Sequence, residues 1–513
     1  MWRVISLGSR RVVVAVSVWV PLALFGCAVG PDYKPSTPAM PTGWMGKASA
    51  STSRPTSRPA DQASELVRWW KTFNDPALSG LIERAFAANL DVKAAEARIR
   101  QARAVRVGVG SALWPTGDAA GSYTRGRPAG ERALTSNLYR TGLDAAWELD
   151  VFGGIRRGIE AADADVQASI EDRRAVLVTL AGEVAFAYVD LRVAQQRVAV
   201  ARKNLLAQEQ NAEVTHQKFA GGLIGELDVA NADAQVATTA SVIPALEALV
   251  QQTIYTLSIL VAQPPGALVG ELSATSSVPI PSPTVPVGVP SDLLRRRPDI
   301  RKAEAAIHGA TARIGVATAE MFPKFSISGS IGYSSNLFDT WTKWANRFWS
   351  WGPSATWRVL DAGAIQADIE AKKALQEQSV LAYQQTVLRA LQDVENSLVA
   401  ASMEQKRRSS LEVSVAANTK AVDISTRLYK QGQTDFIRVL DAQRGLLVTE
   451  DALVQSGGAI ATDLVALYKA LGGGWTDEPA PPVVALPAKP APASRPSLSC
   501  LTFTASASRR AAS

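Results

Sequence analysis

Two hydrophobic patterns run through the chain, and each occurs twice. In WSWGPSATWRVLD, Trp349, Trp351, Pro353, Ala355, Trp357 and Val359 alternate with Ser350, Gly352, Ser354, Thr356 and Arg358. Period-two alternation predicts a strand with one apolar and one polar face. From Gly363 to about Gln431 there is no proline and little glycine, and Ala, Gln, Glu, Leu and Lys dominate. This predicts one continuous helix of roughly 68 residues, about 100 Å long at 1.5 Å per residue. An ordinary globular helix has three or four turns.

The same unit stands earlier, with Trp147 matching Trp357 at an offset of 210 (357 − 147). In YRTGLDAAWELDV, Tyr139, Leu143, Ala145, Trp147, Leu149 and Val151 share one face, and Arg140, Asp144, Glu148 and Asp150 the other. A second proline-free helix is predicted over Gly154–Ala220. Its heptad seam is Ile170, Leu177, Val184, Leu191, Val198, Leu205, Ala212 and Phe219. The same offset gives Val380, Val387, Val394, Ala401, Arg408, Val415, Val422 and Tyr429, and only Arg408 breaks that seam. Two seams of period seven in register predict coiled-coil packing and an internal two-fold repeat.

In chain order, Arg3, Arg10 and Arg11 precede an apolar run over 12–26, the dimensions of a signal peptide, 1–26. The run ends Leu24-Phe25-Gly26-Cys27, which resembles a lipobox and predicts a mature chain starting at a diacylated Cys27. Ala28 after it suits sorting to an outer membrane. Residues 27–67 form a lipidated tether, rich in Ser, Thr, Ala, Arg and Pro over 46–64. The first repeat spans 68–262: Asp75-Pro76 opens a helix, Asn89 breaks it, and a second helix covers about 91–112. A strand pair at about 115–151, the long helix at about 154–221 and a return helix at about 226–262 complete it. A Pro-rich linker, 263–290, leads to the second repeat, 291–474. There Glu304, Ile307 and Pro323 match Glu96, Ile99 and Pro115 at an offset of 208 (323 − 115). Its strand pair lies at about 323–360, where Phe325, Ile327, Ile331 and Tyr333 alternate with small polar residues, and its long helix at about 363–431, before another return helix. The tail, 475–513, is Pro and Ala rich and predicted disordered, and Cys500 in it is given no role.

Hydrophobic residues make up 47% and charged residues 20%, so most of the chain can fold. A net charge of +7, spread along helices, argues against a nucleic-acid groove. His216 and His308 are far apart and read as helix-surface residues rather than metal ligands. Cys27 and Cys500 offer neither a disulfide framework nor a zinc spacing. No nucleophile–base constellation or phosphate loop appears, so the chain reads as no enzyme and calls for no cofactor.

Each of the four strands is long enough to cross a bilayer when tilted, which takes about 9–11 residues. Strands in a bilayer must close into a barrel, because an open edge leaves unpaired backbone groups in hydrocarbon. Four cannot close alone; three chains would supply about twelve, an even number in the range of outer-membrane barrels. Trp341, Trp344, Trp349, Trp351 and Trp357 then read as an interfacial aromatic belt. A soluble sandwich is the competing reading, but each strand pair feeds a helix too long to pack on so small a sheet.

Four stretches carry a resemblance: Cys27-Ala-Val-Gly-Pro-Asp-Tyr-Lys-Pro35, Trp69-Trp70-Lys-Thr-Phe-Asn-Asp75, Leu294-Arg-Arg-Arg-Pro-Asp299, and Tyr429-Lys-Gln-Gly-Gln-Thr-Asp-Phe-Ile-Arg-Val-Leu-Asp-Ala-Gln443. Together they resemble the outer membrane factor family (TolC/OprM type), in its lipoprotein branch, over about Cys27–Gly474. The resemblance implies an α+β membrane protein: a homotrimeric 12-stranded β-barrel, four strands per chain, continued by a long periplasmic α-helical coiled-coil barrel. It implies the exit duct of a tripartite efflux pump, passing small molecules received through a periplasmic adaptor from an inner-membrane transporter of RND type. A type I protein-secretion duct is an alternative in the same class, and a non-conducting periplasmic scaffold one in another. The lipoprotein start and the LRRRPD stretch favour efflux. The Pro-rich tail departs from the family pattern.

Gly222 and Gly432 end the two long helices at matching places (432 − 222 = 210). Each is expected in a left-handed cap at a hairpin tip, far from the barrel, and the resemblance adds close approach of an adaptor helix. Thr434 or Asp435 is expected to cap the returning helix through its side-chain oxygen. Ile437 and Asp441 are four apart on one face. The resemblance puts them, with Asp435, at a gate in the periplasmic mouth, where threefold symmetry would gather a dry isoleucine constriction and a ring of carboxylates. The alternative is that Asp441 pairs with Arg438 or Arg444.

Overall fold

Alternation along the chain becomes one antiparallel sheet in the computed structural model. Its strands are β1 (Thr116–Gly126), β2 (Ser136–Leu149), β3 (Lys324–Ser335) and β4 (Arg347–Thr356), hydrogen-bonded in that order. The structure describes residues 28–35, 38, 40–45, 66–127, 129, 134–280 and 290–475. The signal peptide, Cys27, the tether over 46–64 and the tail with Cys500 lie outside them. The described residues belong to one unit, Met1–Thr476.

Register confirms the two faces. Tyr123 faces Tyr139; Leu143 faces Ile331, which faces Trp349; Trp147 faces Ile327, which faces Pro353. Every odd-numbered position of all four strands lies on that apolar face, since side chains alternate with period two. The other face carries Asp118, Asp144, Ser330 and Ser350 in one cross-strand row. Ser330 and Ser350 are hydrogen-bonded at 2.8 Å, as are Ser326 and Ser354. Neither face is covered: Leu143, Ile331, Trp349 and Trp351 are exposed, and among the described residues the buried core draws nothing from the sheet. β1 and β4 each pair on one side only. A soluble sandwich would bury one face against a second sheet.

The helices are α1 (Pro76–Ala88), α2 (Leu90–Ser111), α3 (Gly154–Ala220), α4 (Glu226–Leu260), α5 (Pro298–Ala319), α6 (Ala364–Lys430) and α7 (Phe436–Ala470). The expected bounds of α3 agree to the residue; those of α4 and α6 agree within two. Asp75 caps α1 by accepting from the Ala77 and Leu78 N–H groups, with Pro76 at the first position, where its missing donor costs nothing. Asn89 ends α1 and caps α2 in the same way.

Two tryptophans at matched positions make like hydrogen bonds. Trp147 Nε1 donates to the Leu113 carbonyl at 2.9 Å, and Trp357 Nε1 to that of Met321 at 3.0 Å. Each tryptophan thereby ties the end of a strand to the turn after a short helix in its own repeat. The core is helical. Trp69 and Trp70 pack with Leu78, Leu81 and Ile82 of α1, Val184 and Leu191 of α3, and Val465 of α7. Trp69 stacks on Tyr468 at 5.3 Å, and the Tyr188 hydroxyl donates to Asp75 at 2.6 Å. Each such side chain contributes about 1.5–3 kcal/mol by leaving water. The LRRRPD stretch sits at the edge of this core, where Arg297 donates to Asp299, Asp393 and the Ala470 carbonyl. Next to it Arg174 and Arg301 bridge the fully buried Glu171, and the Trp475 ring lies against both guanidiniums.

Candidate functional site

The sheet supplies a wall. Its apolar face is ringed at both ends by aromatic side chains. At the β3–β4 loop end stand Trp341, Trp344 and Trp349, with Tyr123, Tyr139 and Phe338 in ring contact near them, while Trp351 lies at mid-strand opposite Gly329. Trp357 lies elsewhere. It follows the far end of β4, because β4 ends at Thr356. The distance from Trp349 to Trp357 along an extended chain is about 26 Å at 3.3 Å per residue. The expectation of one belt of five is therefore corrected to two levels, with Trp357 joining Trp147 and the stacked Phe152, Phe322 and Phe325 at the helical end. On a strand tilted by about 35–45° that length projects to about 20 Å across the membrane, most of the apolar band of about 25 Å on a membrane barrel.

The hairpin tips are built alike. Gly222 has φ +71° and Gly432 φ +75°. Gly222 N–H bonds the Phe219 carbonyl and Leu223 N–H that of Lys218; at the other tip Gly432 bonds Tyr429 and Gln433 bonds Leu428. These are paired Schellman bonds around a left-handed residue. A Cβ at either glycine would meet nothing within 4 Å, so the demand for glycine is conformational and the surroundings are open.

Asp435 is the residue before α7, as expected, but its side chain makes no capping bond. The tip is exposed, so water can satisfy the first N–H groups. The cap expected from Thr434 or Asp435 is thus absent. Ile437 and Asp441 lie together on the exposed side of α7, opposite buried Val439, Leu440 and Gln443. Among the described residues Asp441 forms no ion pair, and Arg444 donates instead to Gln235 of α4 at 2.8 Å. Among the described residues neither Arg438 nor Arg444 pairs with Asp441.

The sequence reading missed what holds α7 in place. Lys218 donates to the Tyr429 carbonyl and stands 4.0 Å from its ring centroid. Tyr429 also donates to Thr215 at 3.3 Å and packs with Phe436, Val439 and Leu440. A seam position that changes from Phe219 to Tyr429 was the available signal. His216 sits beside Asp233 and His308 beside Glu160, each bonded to one carboxylate. Both Arg157 and His308 bond Glu160; together they outweigh its burial and keep its pKa below the usual range.

No helix of the described residues is long and apolar enough to cross a membrane. The family model for outer membrane efflux proteins matches residues 81–263 and 289–473, one segment in each repeat. Nodulation protein T of Rhizobium leguminosarum bv. trifolii is 34% identical over 458 residues, 88% of this chain and 96% of that protein. The pyoverdine export outer membrane protein OpmQ of Pseudomonas aeruginosa is 31% identical over 427 residues, 81% and 89% of the two chains. Among solved structures, the outer-membrane channel OprN is 36% identical with a TM-score of 0.81, covering 88% of this chain and all of that one. The open state of the MtrE outer membrane channel of Neisseria gonorrhoeae is 28% identical with a TM-score of 0.77, covering 87% and 98%.

Proposed function

The chain belongs to the outer membrane efflux protein family, a family of ducts rather than enzymes, and from that premise we propose how it assembles and closes. Its role is the outer-membrane exit duct of an efflux pump. In our reading three chains close a 12-stranded barrel, and the long helices continue it as a periplasmic coiled-coil tunnel. The observation that carries this is the sheet, whose two edges and two faces are all open within one chain. Edge pairing between copies satisfies the free backbone groups, and lipid covers the odd-numbered face. The even-numbered face then lines an aqueous lumen.

The anchor is a diacylated Cys27. The partners are a periplasmic adaptor, which meets the open tips at Gly222 and Gly432, and an inner-membrane transporter of RND type that supplies the energy. The cargo is small molecules. The gate is the exposed stripe of α7, where three Ile437 and three Asp441 converge. Clustered carboxylates repel one another, and cations or protons relieve that repulsion, so the closed mouth prefers cations.

Single-channel recording of the purified protein tests this. Discrete conductance is expected, with Asp441→Ala weakening cation preference and divalent block and Ile437→Gly raising conductance. A parent that conducts nothing refutes the duct; two variants that conduct and select like the parent refute the gate.

A further inference from the structure

The apolar face of the sheet is not free of charge. Its only charged residues are Arg125 on β1 and Arg347 on β4, and both lie at the end away from the helices. The even-numbered face, by contrast, carries charge of both signs along its length, at Asp118, Arg140, Asp144, Glu148 and Lys324. An arginine facing hydrocarbon is costly at the bilayer midplane and tolerated near the interface. Arginines at the outer end of the lipid-facing side, and nowhere below it, mark the level at which headgroups begin. The helical part of these proteins is periplasmic, so this rim meets the outer leaflet.

Both arginines are exposed, and among the described residues neither pairs with a carboxylate. The Arg347 guanidinium stands 4.4 Å from the Trp344 ring centroid, and one of its N–H groups donates to the Trp344 carbonyl at 2.9 Å. A guanidinium has a planar fork of N–H donors, so most of it is left for a ligand. The loop beneath is built: Asn346 donates to the Thr340 carbonyl at 2.7 Å, and the Ser335 and Thr340 hydroxyls are bonded at 3.0 Å. Lys343 of this loop and Arg127 just beyond β1 are exposed as well, and Asp339 is the one carboxylate at this rim among the described residues. Below the rim the rings of Tyr123, Tyr139, Trp344 and Trp349 occupy the boundary where amphipathic aromatics belong.

β1 and β4 are the two free edges of the sheet. In a closed barrel β4 of one copy pairs with β1 of the next, about 4.8 Å away. Lys343, Trp344 and Arg347 of one copy and Arg125 of the next then flank one seam on the outward face. We propose that this seam binds the phosphate groups of an anionic glycolipid of the outer leaflet, whose acyl chains lie on the odd-numbered wall beneath. This rests on the trimeric barrel reading given above. Arginine suits phosphate because its fork makes paired charge-assisted hydrogen bonds. A cationic rim over an apolar wall complements a molecule that carries phosphate above acyl chains, whereas a soluble anion would use the rim alone.

The purified protein in neutral detergent is titrated with a diphosphorylated, acylated glucosamine disaccharide (lipid A) and with its dephosphorylated form, and bound lipid is counted by native mass measurement. Retention of the phosphorylated lipid is expected to saturate at one per seam, with the dephosphorylated form weaker by about tenfold or more. Arg125→Gln and Arg347→Gln should each weaken retention about tenfold, the worth of one charge-assisted hydrogen bond. Arg140→Gln should bind like the parent, because Arg140 lies on the even-numbered face, 4.5 Å over the Phe348 ring. Inorganic phosphate at matched ionic strength should not displace the lipid. Equal retention of the two lipids, displacement by inorganic phosphate, or equal losses in Arg140→Gln and Arg347→Gln overturn the site. A parent that is a monomer with full β content overturns the barrel reading, and the seam with it; a trimeric parent without preference for phosphate overturns the seam alone.

Discussion

The two long helices descend from one pattern and have the same length, yet they do different work. α3 buries side chains along nearly its whole course, from Arg157 to Thr215. α6 buries only Ile369, Tyr383, Val387, Ala390, Val394, Ser397 and Tyr429. The cause is what surrounds them: α3 packs on α1, α2, α4, α5 and α7, whereas α6 packs mainly on α7 and α5. α6 nonetheless keeps Leu375, Leu381, Leu388, Val399 and Met403, all exposed. A helix that retains apolar residues without an internal partner offers them to another chain. One long helix forms the core of the protomer; the other keeps an exposed apolar stripe, which the proposed trimer would cover.

The sharpest way to break that comparison uses matched positions, Val178 on α3 and Leu388 on α6 (388 − 178 = 210). Val178 is 7% exposed and Leu388 63%. Val178→Asp buries an unpaired carboxylate and should cost more than about 4 kcal/mol, enough to prevent folding. Leu388→Asp should leave the protomer folded and block association. Circular dichroism and native mass measurement in detergent separate the two outcomes. A folded Val178→Asp chain, or a trimeric Leu388→Asp chain, would erase the assigned difference.

The tips give the next largest effect. Tyr429 is 3% exposed, whereas the matched Phe219 is 44% exposed. Tyr429→Ala removes a buried ring, the Lys218 contact and the packing on Phe436, a loss of about 3–5 kcal/mol. α7 should loosen and the resting conductance should rise. Phe219→Ala should record like the parent in the same bilayer.

Periodicity made the elements legible, because a period of two or of seven maintained over many residues has few structural solutions. That is why α3 was placed to the residue and why all four strands keep their odd-numbered face. Partnerships were not legible. Arg444 pairs with Gln235 and Lys218 with Tyr429 across helices far apart in sequence, and no local spacing reports such contacts. The belt was misread for a related reason: β4 ends at Thr356, one residue before Trp357, although the alternation runs on to Val359. The contacts of Gly30, Asp32 and Tyr33 were present in the sequence only as a motif, Gly-Pro-Asp-Tyr, whose receiving groups, Gly315, Arg157 and Glu304, lie far along the chain.

Asp463 on α7 carries a smaller difference between the return helices. Its match on α4 is Thr253 (463 − 253 = 210), whose hydroxyl donates to the Leu249 carbonyl. Burial, with Glu404 nearby, pushes the Asp463 pKa up to about 6. The unfolded carboxylate titrates near about 3.9. Between about pH 4 and pH 6 the folded chain therefore holds a proton that the unfolded chain has lost, and stability falls as pH rises through that window and then levels off. Asp463→Thr should abolish that fall and raise stability at neutral pH by on the order of 1 kcal/mol, after discounting for solvent screening. Thermal melts at pH 5 and pH 8 would show it.

The smallest effect lies at the ends of the same two helices. Ala262 after α4 and Gly472 after α7 are matched (472 − 262 = 210), and both are left-handed, at φ +56° and φ +73°. Both close the same pair of bonds: Gln263 to Ser258 and Ala262 to Ile259, then Gly473 to Tyr468 and Gly472 to Lys469. An alanine in that conformation carries a cost of about 1–2 kcal/mol that glycine avoids, partly offset because glycine gains more entropy on unfolding. Ala262→Gly should therefore stabilise the chain by about 1 kcal/mol or less, read as a small rise in melting temperature. The reverse exchange should not be symmetric. A Cβ at Gly472 would stand 2.9 Å from the Arg296 carbonyl oxygen, so Gly472→Ala adds a steric cost to the conformational one. Its loss should exceed the gain at Ala262, because the second helix end is wedged against the LRRRPD stretch. Equal and opposite shifts would mean that only the cap, and not the wedge, decides the residue there.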